Sequence, residues 1–297
     1  MNSRTKYPKI TFEQWAALKA VVDEGSHAAA AEVLHKSQST VSYLLARLND
    51  QLPSPAFVLS GRKAVLTEVG KLLYRQAGLL LDQAIACEES AAQIALGWEN
   101  EIRLACDALT PTHPVMCALQ EFSRERPLIR IRILETSLSG TDEAILQHDC
   151  DLAITGRVPP GFLADPLTMV NLVSVAHRDH PLSSQVLITE AELETHRQIV
   201  VRDSGVRREQ NAGWLGSEQR WTVSHFATSL EMVLLGLGFA FLPEHRVREQ
   251  LDEGVLKVLP LEIGARRVLT LNILATSTRL GPGTRLLMTH LKNAFKQ

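Results

Sequence analysis

One short stretch near the start of the chain carries its clearest chemistry. Gln38, Ser39, Thr40, Ser42, Tyr43 and Arg47 fall on one side of any helix that runs through them, and Val41, Leu44, Leu45, Leu48 and Leu52 take the other side. A glutamine so placed pairs with adenine, hydroxyls bond to base edges or phosphates, and arginine reads guanine or holds phosphate. Ser37 stands where an N-cap belongs, and the helix start behind it offers backbone donors to a phosphate. The same face is also what a plain three-helix packing unit would show to water. Downstream, SPAFVLSGRKAVLT reads as a short hairpin turning at Ser60-Gly61, with Arg62 and Lys63 just past the turn. Beside a DNA-reading helix these two charges would go to the phosphate backbone; alone they are a solvated turn.

Other chemistries find no constellation. There is no GxSxG, no P-loop, no GxGxxG after a strand and no HExxH. Gly236-Leu237-Gly238 follows a helix and reads as its stop. His177 and His180 flank a turn and read as a surface loop rather than a metal pair. Cys87, Cys106, Cys117 and Cys150 show neither CxxC spacing nor nearby paired histidines, which argues against zinc and against a disulfide framework. The expectation is a non-enzyme with no cofactor and no metal.

The elements that must position the polar stretch are short helices. Thr11 with Gln14 has capping-box spacing ahead of FEQWAALKAVVDE, whose Phe12, Trp15, Leu18, Val21 and Val22 share a face, and Gly25 ends it. Ser26 caps an alanine-rich helix, HAAAAEVLH, and Ser37 caps the third. Two helices joined by a short turn, the second with a polar leading face, have helix-turn-helix spacing. From Leu66 the pattern becomes a heptad. Leu66, Leu73, Leu80, Cys87 and Ile94 alternate with Gly70, Ala77, Ala84 and Ala91. A long helix with such a seam wants a partner, and a homodimer through Leu73, Ala77, Leu80, Ala84, Cys87 and Ile94 is the preferred reading over packing on its own domain.

From residue 101 strands and helices alternate, which predicts an α/β body of open, mostly parallel sheets, interrupted at Pro159-Pro160-Gly161. Ligands in such bodies bind beyond the strand ends. Four of these should converge: Cys106, which ends IRLAC, with Asp107 and Thr110; Thr155, which ends DLAIT, with Gly156; Arg202, which ends QIVVR, with Ser204; and His225, which ends RWTVSH, with Phe226 and Thr228. Thr110 or Thr112 would cap one following helix and Thr228 another. Arg202, the hydroxyls and the helix starts suit a small carboxylate or other anion. Asp107 works against an anion and would pair with Arg202 or receive an amine.

Composition agrees with a multi-domain soluble chain. Its 297 residues are 45% hydrophobic and 22% charged, with net charge −2, which excludes a polycation and an acidic disordered tail. Residues 1–66 carry eight Lys and Arg against five Asp and Glu, and the remainder 23 against 28. A mildly basic head on an acidic body suits a polyanionic partner for the head. No apolar run is long enough to span a membrane and no secretory h-region is visible, so a reducing cytoplasm is expected.

Taken in order, the motifs resemble those of LysR-type transcriptional regulators along essentially the whole chain. GSHAAAAEVLHKSQSTVS resembles the family's helix-turn-helix, VLTEVG its entry to the linker helix, and Asp151-Leu152-Ala153-Ile154 its DLAI motif. His180-Pro181-Leu182 and Gly236-Leu237-Gly238-Phe239-Ala240-Phe241-Leu242-Pro243 match two further motifs. After the third helix the chain departs from the pattern: Asn49 replaces the usual Glu, Pro53 the usual Gly and Leu59 the wing Arg, while Phe57 and Arg62 remain. The resemblance implies an α/β protein with an N-terminal winged helix-turn-helix (1–66), a linker and dimerisation helix (67–96) and a two-subdomain, periplasmic-binding-protein-like effector domain (97–297). The subdomains would cover about 101–167 with 270–297, and about 168–269. It implies a ligand-responsive transcriptional regulator that binds double-stranded DNA and assembles as a homotetramer, a dimer of dimers, of which the heptad by itself supports only the homodimer. The competing readings are a small-molecule-binding protein without DNA function and a cytosolic α/β enzyme with a helical dimerisation arm.

Overall fold

Local capping sets the head's helices. The computed structural model describes residues 7–60, 63–206 and 214–296, and the chain divides into two compact units, Met1–Ala95 and Leu96–Gln297. Helix α1 (Phe12–Glu24) opens with a reciprocal capping box: the Gln14 amide donates to Thr11 Oγ1 at 3.3 Å and the Thr11 amide to Gln14 Oε1 at 2.8 Å. It stops at Gly25, which has φ +72°. Ser26 Oγ accepts the Ala29 amide to start α2 (His27–Val33), and Ser37 Oγ accepts the Thr40 amide to start α3 (Gln38–Gln51). The turn between α2 and α3 places His35 at φ +51°, a left-handed conformation unusual for a side chain with a Cβ. The three helices bury Ala17, Leu18, Val21, Ala30, Val41, Leu45 and Leu48 together, each large apolar side chain contributing about 1.5–3 kcal/mol. Phe12 escapes this core and is exposed.

Strands β1 (Phe57–Ser60) and β2 (Lys63–Leu66) form the hairpin, paired antiparallel from Phe57 with Leu66 to Ser60 with Lys63. Arg62 lies outside the described residues, and Lys63 opens β2. Asn49, one of the departures, accepts the Ala56 amide on its Oδ1 at 2.9 Å and so ties α3 to the start of the hairpin. Thr67 Oγ1 donates to the Pro55 carbonyl and accepts the Gly70 amide, fixing the first turn of α4 (Glu68–Ala95).

The dimer seam expected along α4 needs correction in its first half. Ala77 is wholly buried and Leu73 half-buried against the head's own core, and a Cβ at Gly70 would collide with the Ala56 carbonyl. A heptad of large and small residues looks the same whichever surface it covers; here its first two repeats are covered by α1 and the hairpin of the same chain. Leu80, Cys87 and Ile94 remain exposed, with Ala84 half-buried.

The body is built on one seven-stranded sheet. Its elements are β3 (Glu101–Asp107), α5 (Thr112–Glu125), β4 (Arg130–Thr136), α6 (Ser139–Leu146), β5 (Leu152–Thr155), β6 (Ala164–His177), α7 (Glu190–Glu194), β7 (Gln198–Val201), β8 (Arg220–Val223), α8 (Phe226–Leu234), β9 (Ala240–Pro243), α9 (Glu244–Asp252), β10 (Leu256–Val258), β11 (Arg266–Ala275) and α10 (Pro282–Ala294). The order is β10-β6-β11-β5-β3-β4, with β9 also on β6, and β7 pairs with β8 apart. The expectation of mostly parallel sheets is corrected: β3 runs parallel to β4 and β5, but β6 pairs antiparallel with β9, β10 and β11, and β11 antiparallel with β5. The long β6 and β11 run side by side through both halves of the body, and an antiparallel pair needs no helical crossover between its strands.

Hydrophobic clusters divide the body into two lobes. In the first, Ile102, Leu104, Phe122, Leu152, Ile154 and Leu287 pack between the sheet and α5 with α10. In the second, Val173, Val175, Ile199, Val233, Leu242 and Val247 pack beneath α8 and α9. No helix among the described residues is long and apolar enough to cross a membrane.

Candidate functional site

Helix α3 divides sharply. Val41, Leu44, Leu45 and Leu48 are buried, while Gln38, Ser39, Thr40, Ser42, Tyr43 and Arg47 are all exposed. The exposed hydroxyls gather at the helix start, where Ser37 Oγ lies 2.8 Å from Ser39 Oγ and 2.7 Å from Thr40 Oγ1. Gln38, Ser42, Tyr43 and Arg47 have no side-chain hydrogen bond or ion pair among the described residues.

In the body a cavity of about 700 Å³ opens over the ends of β3, β4, β7 and β8. It brings together seven of the predicted residues: Cys106, Asp107, Thr110, Arg202, Ser204, His225 and Phe226. Three others do not reach it. Thr155 is buried, its hydroxyl donating to the Arg157 carbonyl at 2.7 Å and accepting the Arg157 amide; β11 covers this strand end by pairing Asn272 with Thr155, and Gly156 follows it away. Thr228 is exposed because α8 starts earlier than its capping-box spacing implied. His225 is the N-cap, Phe226 and Ala227 take the first turn to the cavity, and Thr228 faces outward.

Neither threonine caps α5. Its N-cap is Pro111, without a side-chain hydrogen bond. Thr110 is buried on the cavity wall, and its Oγ1 has no partner among the described residues. Such an oxygen calls for a hydrogen-bonding guest or water. His225 also makes no capping bond, so α5 and α8 both begin at the cavity with backbone donors free of side-chain caps. Each start carries a partial positive charge.

Residues that the strand ends did not announce complete the wall. Ile133 and Glu135 alternate along β4 on the cavity side, a period-two signal present in the sequence, and Val115 and Met116 extend the apolar floor. Arg246 gave no signal, since it sits in a charged helix that reads as solvated. Its Nη2 donates to the Ala108 carbonyl at 3.2 Å, while its Nε is buried and unpartnered. Burial pulls its pKa below the usual guanidinium range, partly countered by Glu135.

Two neighbouring groups are held by burial. The Cys106 thiol is pushed up to about 12, with Glu135 and Asp107 adding to the effect, so it stays protonated and unreactive at neutral pH. Asp107 is raised by burial, against hydrogen bonds from the Leu109 amide at 2.9 Å and the Thr141 hydroxyl at 3.4 Å. Among the described residues no group of three or more His, Cys, Asp or Glu is arranged to hold a metal ion.

The lobes also touch beside the cavity. Ser137 Oγ donates to the Arg202 carbonyl, the Ser137 amide to Ser204 Oγ, and Ser139 Oγ to Asp203 Oδ2 at 2.6 Å. Asp203 also accepts the Gly140 amide, so the start of α6 is capped by a carboxylate from the opposite lobe. The approach is so close that a Cβ on Gly140 would strike Ser204 Oγ, and one on Gly205 would strike Ser139 Oγ.

A polar-faced helix-turn-helix and a two-lobed body with a walled cavity define a DNA-binding regulator with a ligand-binding domain. Family models agree: residues 12–71 match the bacterial regulatory helix-turn-helix protein, lysR family, and residues 95–296 match the LysR substrate binding domain. The chain is 29% identical to the HTH-type transcriptional regulator YhaJ of Escherichia coli O157:H7, over 85% of this chain and 87% of that one. It is also 29% identical to the regulator YeeY of E. coli K12, over 80% and 79%. Its fold matches CrgA, a LysR-type transcriptional regulator from Neisseria meningitidis, with a TM-score of 0.52 and 18% identity, covering 98% of this chain and 100% of that one. The chain belongs to the LysR family of transcriptional regulators.

Proposed function

We propose that this regulator reads duplex DNA through Gln38, Ser39, Thr40, Ser42 and Tyr43 in the major groove, with Arg47, Arg62 and Lys63 toward phosphates. The observation that carries this reading is the division of α3, whose apolar side is consumed by the head's core while Gln38, Ser42, Tyr43 and Arg47 stay exposed. A small anion, a carboxylate by preference, in the cavity between the lobes then governs the regulator's response. Thr110, Arg202, Arg246 and the starts of α5 and α8 support that choice. Self-association runs along the exposed part of α4, through Leu80, Ala84, Cys87 and Ile94, as a homodimer that pairs into a homotetramer. The division of the effector domain into about 101–167 with 270–297 and about 168–269 is supported by the grouping of its hydrophobic clusters, with Val170 of β6 packed in the first lobe.

Binding to operator and random DNA at several salt concentrations tests the DNA-reading face. Ser42→Ala or Gln38→Ala should reduce discrimination by about 1–3 kcal/mol if a bidentate base contact is lost. Arg47→Ala should weaken all sequences alike and flatten the salt slope by about one unit. Wild-type behaviour in all three would move the recognition surface elsewhere.

A further inference from the structure

The cavity wall is polarised from lobe to lobe. Its two carboxylates, Asp107 at the end of β3 and Glu135 near the end of β4, belong to the first lobe; its two guanidiniums, Arg202 after β7 and Arg246 on α9, belong to the second. None of the four makes an ion pair among the described residues, whereas elsewhere in the body Arg103 pairs with Asp151 at 2.9 Å and Lys292 with Asp165 at 2.6 Å. Arg246 is partly buried with its Nε unpartnered among the described residues, while Glu135 and Arg202 are exposed on the cavity wall and open to a charged guest.

A simple anion satisfies only one side. It meets Arg246, Arg202 and the uncapped start of α8, but Glu135 faces it as a like charge. The start of α5 lacks the Pro114 amide but keeps those of Thr112 and His113, so it adds to the anion's side and leaves Glu135 without a counter-ion. Asp107 already accepts from Leu109 and Thr141, so Glu135 is the carboxylate with free capacity.

We propose that the cleft ligand is a zwitterion of the α-amino acid class, its carboxylate held by Arg246 and the start of α8 and its ammonium by Glu135. This rests on the reading of the cavity as the effector site and names what that site selects. A molecule carrying both charges links the two lobes with charge-assisted hydrogen bonds, and analogues lacking either charge leave a wall group unpaired. Val115, Met116, Ile133 and Phe226 leave room for an apolar side chain.

The test is thermal melting and calorimetric titration of the full-length protein with the twenty α-amino acids, the matching carboxylic acids without the amine, and the matching amines without the carboxylate. At least one amino acid should stabilise the protein in a dose-dependent way, with at least tenfold weaker binding by both of its stripped analogues. Glu135→Gln should weaken that amino acid at least tenfold and narrow the gap to its des-amino analogue, while Glu135→Asp, which keeps the charge, should preserve the gap. Arg246→Gln should weaken both carboxylate-bearing compounds. If a plain carboxylate binds as well as any amino acid, or better in Glu135→Gln, the zwitterion is wrong but the cavity still binds an anion. If the best binder is untouched by Arg246→Gln and by Thr110→Met, the effector-site reading fails with it. Stabilisation by no amino acid also overturns the proposal.

Discussion

On α3 the polar residues follow one another along a single helix and meet solvent, whereas around the cavity they are drawn from positions 106 to 246 and meet each other's fields. The first arrangement needs only a buried opposite face to hold the helix still. The second exists only after β3, β4, β7, β8 and α9 have docked. A flat polar face suits a long, uniform polyanion that docks from outside; a walled cavity suits a small molecule whose charges must match the wall. In the head Asn49, a departure from the family pattern, takes up the Ala56 amide seven residues away, whereas Arg246 reaches the cavity wall from a helix far along the chain.

The comparison is tested most severely by a large cut in the head. Leu48 is fully buried in a cluster made only of residues from the head and the first half of α4. Leu48→Ala should cost about 2–5 kcal/mol and abolish DNA retention. Calorimetry should still show the body's transition and its stabilisation by a cleft ligand; loss of both transitions together would mean that the two regions are energetically one.

A smaller effect is expected where the lobes touch. Asp203→Ala removes acceptors for Ser139 Oγ and for the Gly140 and Gly205 amides. It should destabilise the body by about 1–3 kcal/mol in urea without changing DNA affinity in the absence of ligand. An unchanged urea midpoint would show that the contact between the lobes is incidental.

The smallest effect concerns Asp107. Its folded pKa is raised by burial, so the unfolded chain gives up this proton at lower pH than the folded one. Between the ordinary carboxylate value and the raised one, stability therefore falls as pH rises, and above both the penalty is constant. Asp107→Asn should melt slightly higher than wild type near pH 8, and the gain should shrink as pH falls toward about 4. A gain that grows on acidification would contradict the assignment of burial as the cause.

Each helix of the head was legible in the chain because its signals are local. Thr11, Ser26 and Ser37 each cap within three residues of themselves, and Val41, Leu44, Leu45 and Leu48 repeat at helical spacing. Strand ends were legible for the same reason, which is how Cys106, Asp107, Arg202 and His225 could be placed on one cavity. The partner of a face was not. Leu73 and Ala77 read as a seam between chains and are covered by their own head, because periodicity states that a surface is apolar and not what covers it. Thr228 had a capping box available and lost it to an earlier helix start, since the end of β8 decided where α8 could begin. Arg246 came to the cleft through a helix with no local mark of its role, and only the packing of α9 against β6 and β9 brings a guanidinium of the second lobe to face a carboxylate of the first. Spacing along the chain governs hydrogen bonds and faces over a few residues; long-range docking sets which charges share one enclosed space.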